Sequence, residues 1–125
     1  MTTDLRQRRL LIVEDEFLLA EDVACEMKAR GAHVIGPAAN VQAALSLIAE
    51  AGRIDGAILD LNLQGQMAFP VADALIDRGV PFVFATGYDR SAIPPRYAAV
   101  VRCEKPVTAL RLAQALFGPT KQRGC

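Results

Sequence analysis

Short apolar runs alternate with amphipathic segments along almost the whole chain, and this alternation constrains the fold more than any other feature. This pattern predicts five strands, at residues 10–13, 33–37, 56–61, 80–86 and 100–104. Continuous apolar runs of this length are typical of strands that are buried on both faces. The segments between them carry apolar residues at helical spacing, most clearly at 16–30, 41–51, 70–78 and 107–117. Repeated strand–helix units predict an α/β fold with a doubly wound parallel sheet.

Proline and asparagine residues refine the predicted elements. Pro37 cannot donate a hydrogen bond to a neighbouring strand, so we expect the second strand to lie at an edge of the sheet. Asn40 is a good N-cap for the second predicted helix. In the segment 87–99, Pro94 and Pro95 would interrupt an α-helix, so we expect only a short or irregular helix there.

The length and charge of the chain limit its organisation and its partners. Its 125 residues fit one domain, which we place at residues 8–118, with short tails at 1–7 and 119–125. Fourteen basic residues balance fourteen acidic ones, so no overall field favours nucleic acid or an anionic membrane. No apolar run is long enough to span a membrane, and the first apolar run is too short for a signal peptide. We therefore expect a cytoplasmic protein that binds neither nucleic acid nor membrane.

Chemically reactive side chains follow four of the five predicted strands, at the point where each strand ends. These are Glu14, Asp15 and Glu16 after the first strand, Asp60 at the end of the third, Thr86 (followed by Gly87) at the end of the fourth, and Lys105 after the fifth. In open parallel sheets, ligands bind beyond the carboxyl ends of the strands. If these four strands adjoin, carboxylates, a hydroxyl and an ammonium group converge at one edge.

This set of groups suits metal-assisted phosphoryl chemistry. Clustered carboxylates repel one another unless a cation neutralises them, and oxygen donors without histidine or cysteine suit Mg²⁺, with Mn²⁺ as an alternative. A carboxylate beside such a metal can form an aspartyl phosphate, which lysine and threonine side chains can bind. Taken singly, the acids could simply mark a helix N-terminus, and Asp60 could be a turn or cap residue. Thr86 with Gly87 could be an ordinary strand exit, and Lys105 with Pro106 could be a surface turn. Their joint occurrence favours a phosphate-accepting site centred on Asp60.

With these residues in this order, the chain resembles the receiver domain of two-component response regulators over residues 8–118. The resemblance implies a flavodoxin-like fold, with a five-stranded parallel sheet of order 2-1-3-4-5 and five helices. Residues 84–88, Phe-Ala-Thr-Gly-Tyr, also resemble the motif of a subfamily named for Phe-Ala-Thr-Gly (FAT GUY), many of whose members are stand-alone domains. A single-domain response regulator is therefore expected.

The resemblance implies roles for the groups that would carry the chemistry. Asp60 would accept phosphoryl from a sensor histidine kinase or a phosphotransfer protein, Lys105 would pair with the phosphoryl group, and Thr86 would turn towards it. The peptide bond between Lys105 and Pro106 is typically cis in this family. Such a protein is a phosphoacceptor with autodephosphorylation and is not otherwise an enzyme.

A Mg²⁺ site next to Asp60 is also implied by the resemblance. Asp15 and Asp60 would ligate the metal together with the backbone carbonyl of Asn62, and Glu14 would do so directly or through water. The loop after Asp60 departs from the family, because it lacks the usual turn of the Pro-Gly-Met-Asp-Gly type. Its path is therefore left open.

The switch region departs from the family as well. Asn62 and Tyr88 resemble the positions that tune phosphate lifetime by gating the attacking water. The position three residues before the lysine commonly holds an aromatic switch residue, but here it holds Arg102. The usual coupling between the switch hydroxyl, here that of Thr86, and an aromatic ring at position 102 therefore cannot operate in its ordinary form. We therefore expect phosphorylation to act by ordering the segment 87–99, which begins at Gly87.

The output would be binding to an unknown downstream protein, or draining phosphoryl groups from a shared kinase. The face around 87–105, with Tyr88, Tyr97 and Arg102, is the candidate contact surface of a monomer or weak dimer. Two alternatives remain open: a degenerate receiver that binds partners without phosphorylation, and a phosphohydrolase with an aspartyl nucleophile. Such hydrolases usually need a second aspartate two residues after the nucleophile, and this chain has Asn62 there.

Overall fold

The structure, a computed structural model, describes residues 4–118. Its strands are β1 (Arg9–Val13), β2 (His33–Ala38), β3 (Gly56–Leu59), β4 (Asn62–Leu63), β5 (Gln66–Met67), β6 (Phe82–Thr86) and β7 (Val101–Glu104). Its α-helices are α1 (Phe17–Ala29), α2 (Val41–Glu50), α3 (Phe69–Asp77) and α4 (Ala109–Phe117). No helix in this part of the chain is long and apolar enough to cross a membrane. The predicted tail at 119–125 lies outside the described residues.

Five strands form one parallel sheet in the order β2-β1-β3-β6-β7, which confirms the predicted doubly wound fold. The strand β2 lies at an edge, as Pro37 predicts. The chain order reverses between β1 and β3, so the crevice at this switch point opens beyond their carboxyl ends. The residues that immediately follow these two strands are the predicted acids.

Two apolar clusters cover the two faces of the sheet. Leu11 and Val13 of β1 pack with α2 and α3 on one face, whereas Leu10 and Ile12 pack with α1 and α4 on the other. Side chains of a strand point alternately to opposite faces, and both faces are covered here, so every residue of β3 and β6 is buried. This burial explains why the strands appear in the sequence as continuous apolar runs.

The N-terminal boundary differs from the prediction. Leu5 was placed in a tail at 1–7, but its side chain is fully buried in the cluster under α1 and α4. Its backbone N–H also donates to the carbonyl of Arg30, at 3.1 Å. The single apolar residue in a polar stretch gave too weak a pattern to show that residues 4–7 pack against the domain.

The family resemblance implies five helices, but residues 4–118 contain four α-helices. Between β6 and β7 the chain forms two short 3₁₀ turns, at Arg90–Ala92 and Pro95–Tyr97. Pro94 and Pro95 lack the backbone N–H groups that an α-helix requires, and a proline disfavours helical geometry in the residue before it. The expectation of a short, irregular element in this segment is confirmed.

A small β-hairpin follows Asp60, where the path was left open. The strands β4 and β5 pair antiparallel, and Gln64 and Gly65 connect them with φ values of 54° and 85°. Two consecutive positive φ values are typical of the tight turns that join two-residue hairpins. Asn62 closes the turn, because its Oδ1 accepts a hydrogen bond from the Gly65 N–H at 2.9 Å.

The N-cap of α2 provides a test of whether a predicted local hydrogen bond stabilises the fold. The Asn40 side chain accepts a hydrogen bond from the Ala43 N–H at 2.8 Å, as predicted. We expect Asn40→Ala to lower the free energy of unfolding by about 1 kcal/mol, measured by urea denaturation. Gln42→Ala, at an exposed position of the same helix, is the control and should change it by less than about 0.5 kcal/mol. Equal effects of the two substitutions would contradict the cap.

Candidate functional site

Asp60 lies at the switch point, directly after the central strand β3. Its backbone N–H donates to the carbonyl of Val13 at 2.9 Å, which extends the pairing of β1 with β3 by one step. The residue is 7% exposed, so its carboxylate is largely removed from water. A buried carboxylate requires a compensating group.

Lys105 supplies this compensation. Its Nζ lies 3.1 Å from Asp60 Oδ2 and 3.0 Å from Glu14 Oε1, and the more exposed Glu16 lies 3.9 Å away. Burial alone would lower the pKa of Lys105, but the hydrogen bond to Glu14 and the charge of Asp60 raise it above its ordinary value. Lys105 is therefore a fixed positive charge between two carboxylates. Its peptide bond to Pro106 is cis, as the family resemblance implies.

Three carboxyl groups meet beside this lysine. One oxygen each from Glu14, Asp15 and Asp60 lie within 4.8 Å of one another. Burial raises the pKa of Glu14 to about 7, although the Glu16 backbone N–H and Lys105 act in the opposite direction. The neighbouring charge of Asp60 raises it further. Carboxylates that repel one another at this spacing fit a hard divalent cation, so the cluster can hold a metal.

The hairpin after Asp60 holds one of these carboxylates. The backbone N–H of Gln64 donates to Asp15 Oδ2 at 2.9 Å. The sequence analysis did not identify Gln64, because a main-chain donor leaves no mark in the residue types. The Gln-Gly pair between alternating apolar residues was the one available signal for the turn.

Thr86 ends β6 on the other side of Asp60 and is fully buried. Its Oγ1 accepts a hydrogen bond from the Tyr88 N–H at 3.0 Å. The carbonyl of Tyr88 in turn accepts two hydrogen bonds from Arg102, from Nε at 3.0 Å and from Nη2 at 2.8 Å. The Arg102 side chain therefore contacts the segment after β6 through the backbone carbonyl of Tyr88. At the position of Arg102 the family commonly has an aromatic ring.

An open cleft of about 410 Å³ brings most of the predicted residues together. It is lined by Asp15, Glu16, Asp60, Asn62, Thr86, Gly87, Tyr88 and Lys105. Of the predicted site residues, Glu14 is buried beside Lys105, and Arg102 contacts the backbone of Tyr88. The residues at the strand ends, which the sequence predicted to lie close together, therefore line one continuous cleft.

Tyr97 does not belong to an exposed contact surface, contrary to the prediction. Its side chain is 1% exposed, and its ring stacks on Phe69 with centroids 5.3 Å apart. Its hydroxyl donates to Asp73 Oδ1 at 2.6 Å. An aromatic residue in an irregular segment can be a core residue, and periodicity gives no warning of this where no regular element exists. Tyr88 is 45% exposed and remains at the surface.

Comparisons with known proteins show the family to which the chain belongs. No protein-family model matches the chain, and no curated protein matches it. Solved structures do match. SdrG from Sphingomonas melonis Fr1 is 37% identical over 93% of this chain and 96% of its own, with a TM-score of 0.74. The BeF₃-activated conformation of SdrG from Pseudomonas melonis Fr1 is 38% identical over 86% of this chain and 92% of its own, with a TM-score of 0.71.

A response regulator from Burkholderia pseudomallei, solved with a phosphorylated aspartic acid, calcium ion and citrate, shares the fold. It is 23% identical over 89% of this chain and 67% of its own, with a TM-score of 0.74. The chain belongs to the receiver domains of two-component response regulators. Among them it is similar to single-domain proteins such as SdrG, whose chain it matches over almost the full length.

The charge compensation by Lys105 leads to a prediction about stability. Lys105→Gln would leave Glu14 and Asp60 without their cation, so in EDTA the free energy of unfolding should fall by about 2 kcal/mol. Added Mg²⁺ should restore more stability to this variant than it adds to the wild type, because the metal replaces the missing charge. Urea denaturation with EDTA and with Mg²⁺ measures both effects.

Lys28→Gln is the matched control, because Lys28 is exposed on α1 and away from the cleft. It removes the same charge, and its unfolding should respond to Mg²⁺ as the wild type does. A Lys105→Gln variant as stable as the wild type in EDTA would show that Lys105 does not compensate the buried carboxylates.

Proposed function

We propose that this receiver domain accepts a phosphoryl group on Asp60 from a sensor histidine kinase or a phosphotransfer protein, with Mg²⁺ as the cofactor. The observation that carries the proposal is the pairing of the buried Asp60 carboxylate with Lys105, 3.1 Å apart, in the cleft. The BeF₃-activated state of SdrG, a relative 38% identical, supports it.

Three side chains of this protein would take part directly in the transfer. An oxygen of Asp60 attacks the phosphorus of a phosphohistidine, a P–O bond forms, and the P–N bond breaks. The electron pair of the broken bond stays on the imidazole nitrogen of the donor. Lys105 keeps its proton and pairs its charge with one phosphoryl oxygen, and the Thr86 hydroxyl donates a hydrogen bond to another.

The acidic cluster would hold the metal. We assign the carboxylates of Glu14, Asp15 and Asp60 and the backbone carbonyl of Asn62 as its ligands, with Glu14 acting directly or through water. Bound Mg²⁺ would neutralise charge on the carboxylates and on the incoming phosphoryl oxygens. The same oxygen donors fit Mn²⁺.

Asn62 and Tyr88 would set the lifetime of the phosphate, because both line the cleft from which water reaches Asp60. Slow hydrolysis by such water is autodephosphorylation, and the protein has no other proposed enzymatic activity. Gly87 would allow the segment after Thr86 to move. The expectation that phosphorylation orders 87–99 stays a prediction; Tyr97 already anchors this segment in the core.

The output would be contact with a downstream protein, or removal of phosphoryl groups from a shared kinase. We place the protein in the cytoplasm, and we expect it to be a monomer or a weak dimer. Of the predicted contact surface, Tyr88 is the exposed aromatic residue. The Arg102 side chain is 12% exposed and points back to the Tyr88 carbonyl.

Substitution of Asp60 tests the phosphoacceptor. Asp60→Asn keeps the shape of the side chain but removes the nucleophilic carboxylate, so label from a phosphorylated histidine kinase should fall to background. Asp77→Asn, at an exposed position of α3, should label as the wild type does. Transfer is followed as radioactive label on the purified protein.

The alternatives give different results in this experiment. A wild type that takes no label from any phosphorylated donor would favour a receiver that works without phosphorylation. Rapid turnover of many phosphate esters by the wild type would favour a phosphohydrolase. Labelling of Asp60→Asn equal to the wild type would place the phosphate on another residue.

The metal assignment is tested by binding. Asp15→Asn removes the charge of one proposed ligand but keeps an oxygen that can accept the Gln64 N–H. We expect its Mg²⁺ affinity, measured by calorimetry, to fall by about tenfold or more. Asp22→Asn, exposed on α1, should bind Mg²⁺ as the wild type does. Unchanged affinity in Asp15→Asn would remove this residue from the ligand set.

A further inference from the structure

The segment that leaves β6 is held by hydrogen bonds at one residue. The Tyr88 N–H donates to Thr86 Oγ1 at 3.0 Å, and the Tyr88 carbonyl accepts from both Nε and Nη2 of Arg102, at 3.0 Å and 2.8 Å. The planar guanidinium offers its donors as a fixed fork, so it sets the direction of the carbonyl as well as its distance.

Packing contributes little to holding this segment. A Cβ atom built on Gly87 would meet no atom within 4 Å, so the chain is open on the side where a side chain would stand. Tyr88 itself is 45% exposed. The Arg102 side chain, by contrast, is 12% exposed and extends from β7, a strand of the sheet. The position of Tyr88 therefore depends on the two backbone hydrogen-bonding groups, and Arg102 is the anchor that comes from another element.

Tyr88 lines the cleft in which Asp60, Thr86 and Lys105 meet. The Tyr88 side chain is attached to the backbone that Arg102 holds. Loss of the hydrogen bonds from Arg102 to the Tyr88 carbonyl would therefore free the side chain as well. We propose that Arg102 is a positioning residue that keeps Tyr88 at the mouth of the cleft and thereby slows the access of water to the phosphate on Asp60. This inference rests on the proposed phosphorylation of Asp60.

A purely electrostatic role for Arg102 is the competing explanation. Arg102 Nη2 lies 3.8 Å from Glu104 Oε1, and the Glu104 side chain is 67% exposed. An exposed ion pair at this distance contributes little. Glu104→Gln removes this pair and leaves the hydrogen bonds to Tyr88 in place, so it separates the two explanations.

The first experiment examines the contact without any phosphate. Hydrogen exchange of the Tyr88 amide, measured by NMR on the full chain, should be about tenfold faster in Arg102→Ala. The reason is that the Tyr88 backbone then keeps its hydrogen bond to Thr86 but loses those from Arg102. Exchange in Glu104→Gln should match the wild type. Equal exchange in Arg102→Ala and the wild type would overturn the inference, whatever the fate of the proposed phosphorylation.

The second experiment measures the lifetime of the phosphate. The protein is labelled with radioactive acetyl phosphate and Mg²⁺, the donor is removed, and the loss of label is followed. Arg102→Ala should lose phosphate about threefold to tenfold faster than the wild type, in line with the net contribution of an ordinary hydrogen bond. Arg102→Lys keeps the positive charge but loses the planar, two-donor guanidinium. Its rate of phosphate loss should lie between those of Arg102→Ala and the wild type. This conservative variant also guards against a variant that folds poorly.

A double substitution shows whether Arg102 acts through the ring of Tyr88. In a Tyr88→Ala background the ring is gone, so Arg102→Ala should add little to the rate of phosphate loss. Fully additive effects, or an unchanged lifetime in Arg102→Ala, would overturn the inference while leaving phosphorylation of Asp60 intact. A wild type that takes no label from acetyl phosphate or from a phosphorylated histidine kinase would overturn both.

Discussion

The ammonium group of Lys105, held between the carboxylates of Glu14 and Asp60, is the interaction on which the site depends. The doubly wound sheet brings the ends of β1 and β3 together, and acids follow both strands. Without a cation, burial and mutual repulsion would disfavour their charged forms. The pKa of Glu14 is raised to about 7 mainly by its burial, and the neighbouring charge of Asp60 adds to this effect.

Most of the fold was predictable because burial on both faces makes the strands β1, β3 and β6 nearly continuous apolar runs. The same reasoning extended to the site, since parallel strands deliver their last residues to one edge. Asp60, Thr86 and Lys105 are far apart in sequence but line one cleft. The rule of topology placed them together on the condition that these strands adjoin, and the family resemblance supplied the strand order that meets this condition.

Sequence reasoning missed two kinds of contact: side chains buried in segments without regular periodicity, and contacts made by main-chain groups. Leu5 and Tyr97 are core residues in segments without regular periodicity. The contact of Arg102 with the Tyr88 carbonyl and the contact of the Gln64 N–H with Asp15 both use main-chain groups, which every residue type has. Residue identity cannot indicate such partners; only the path of the chain can.

The hairpin after Asp60 has a consequence for how this family member can vary. Asp15 is held by the amide of Gln64, whose side chain is exposed to solvent. The identity of residue 64 is therefore constrained by its positive φ, which favours Gly, Asn or Asp, and not by the carboxylate it supports. Substitutions among residues that tolerate this conformation can remodel the outer surface beside the cleft while the acidic cluster keeps its geometry.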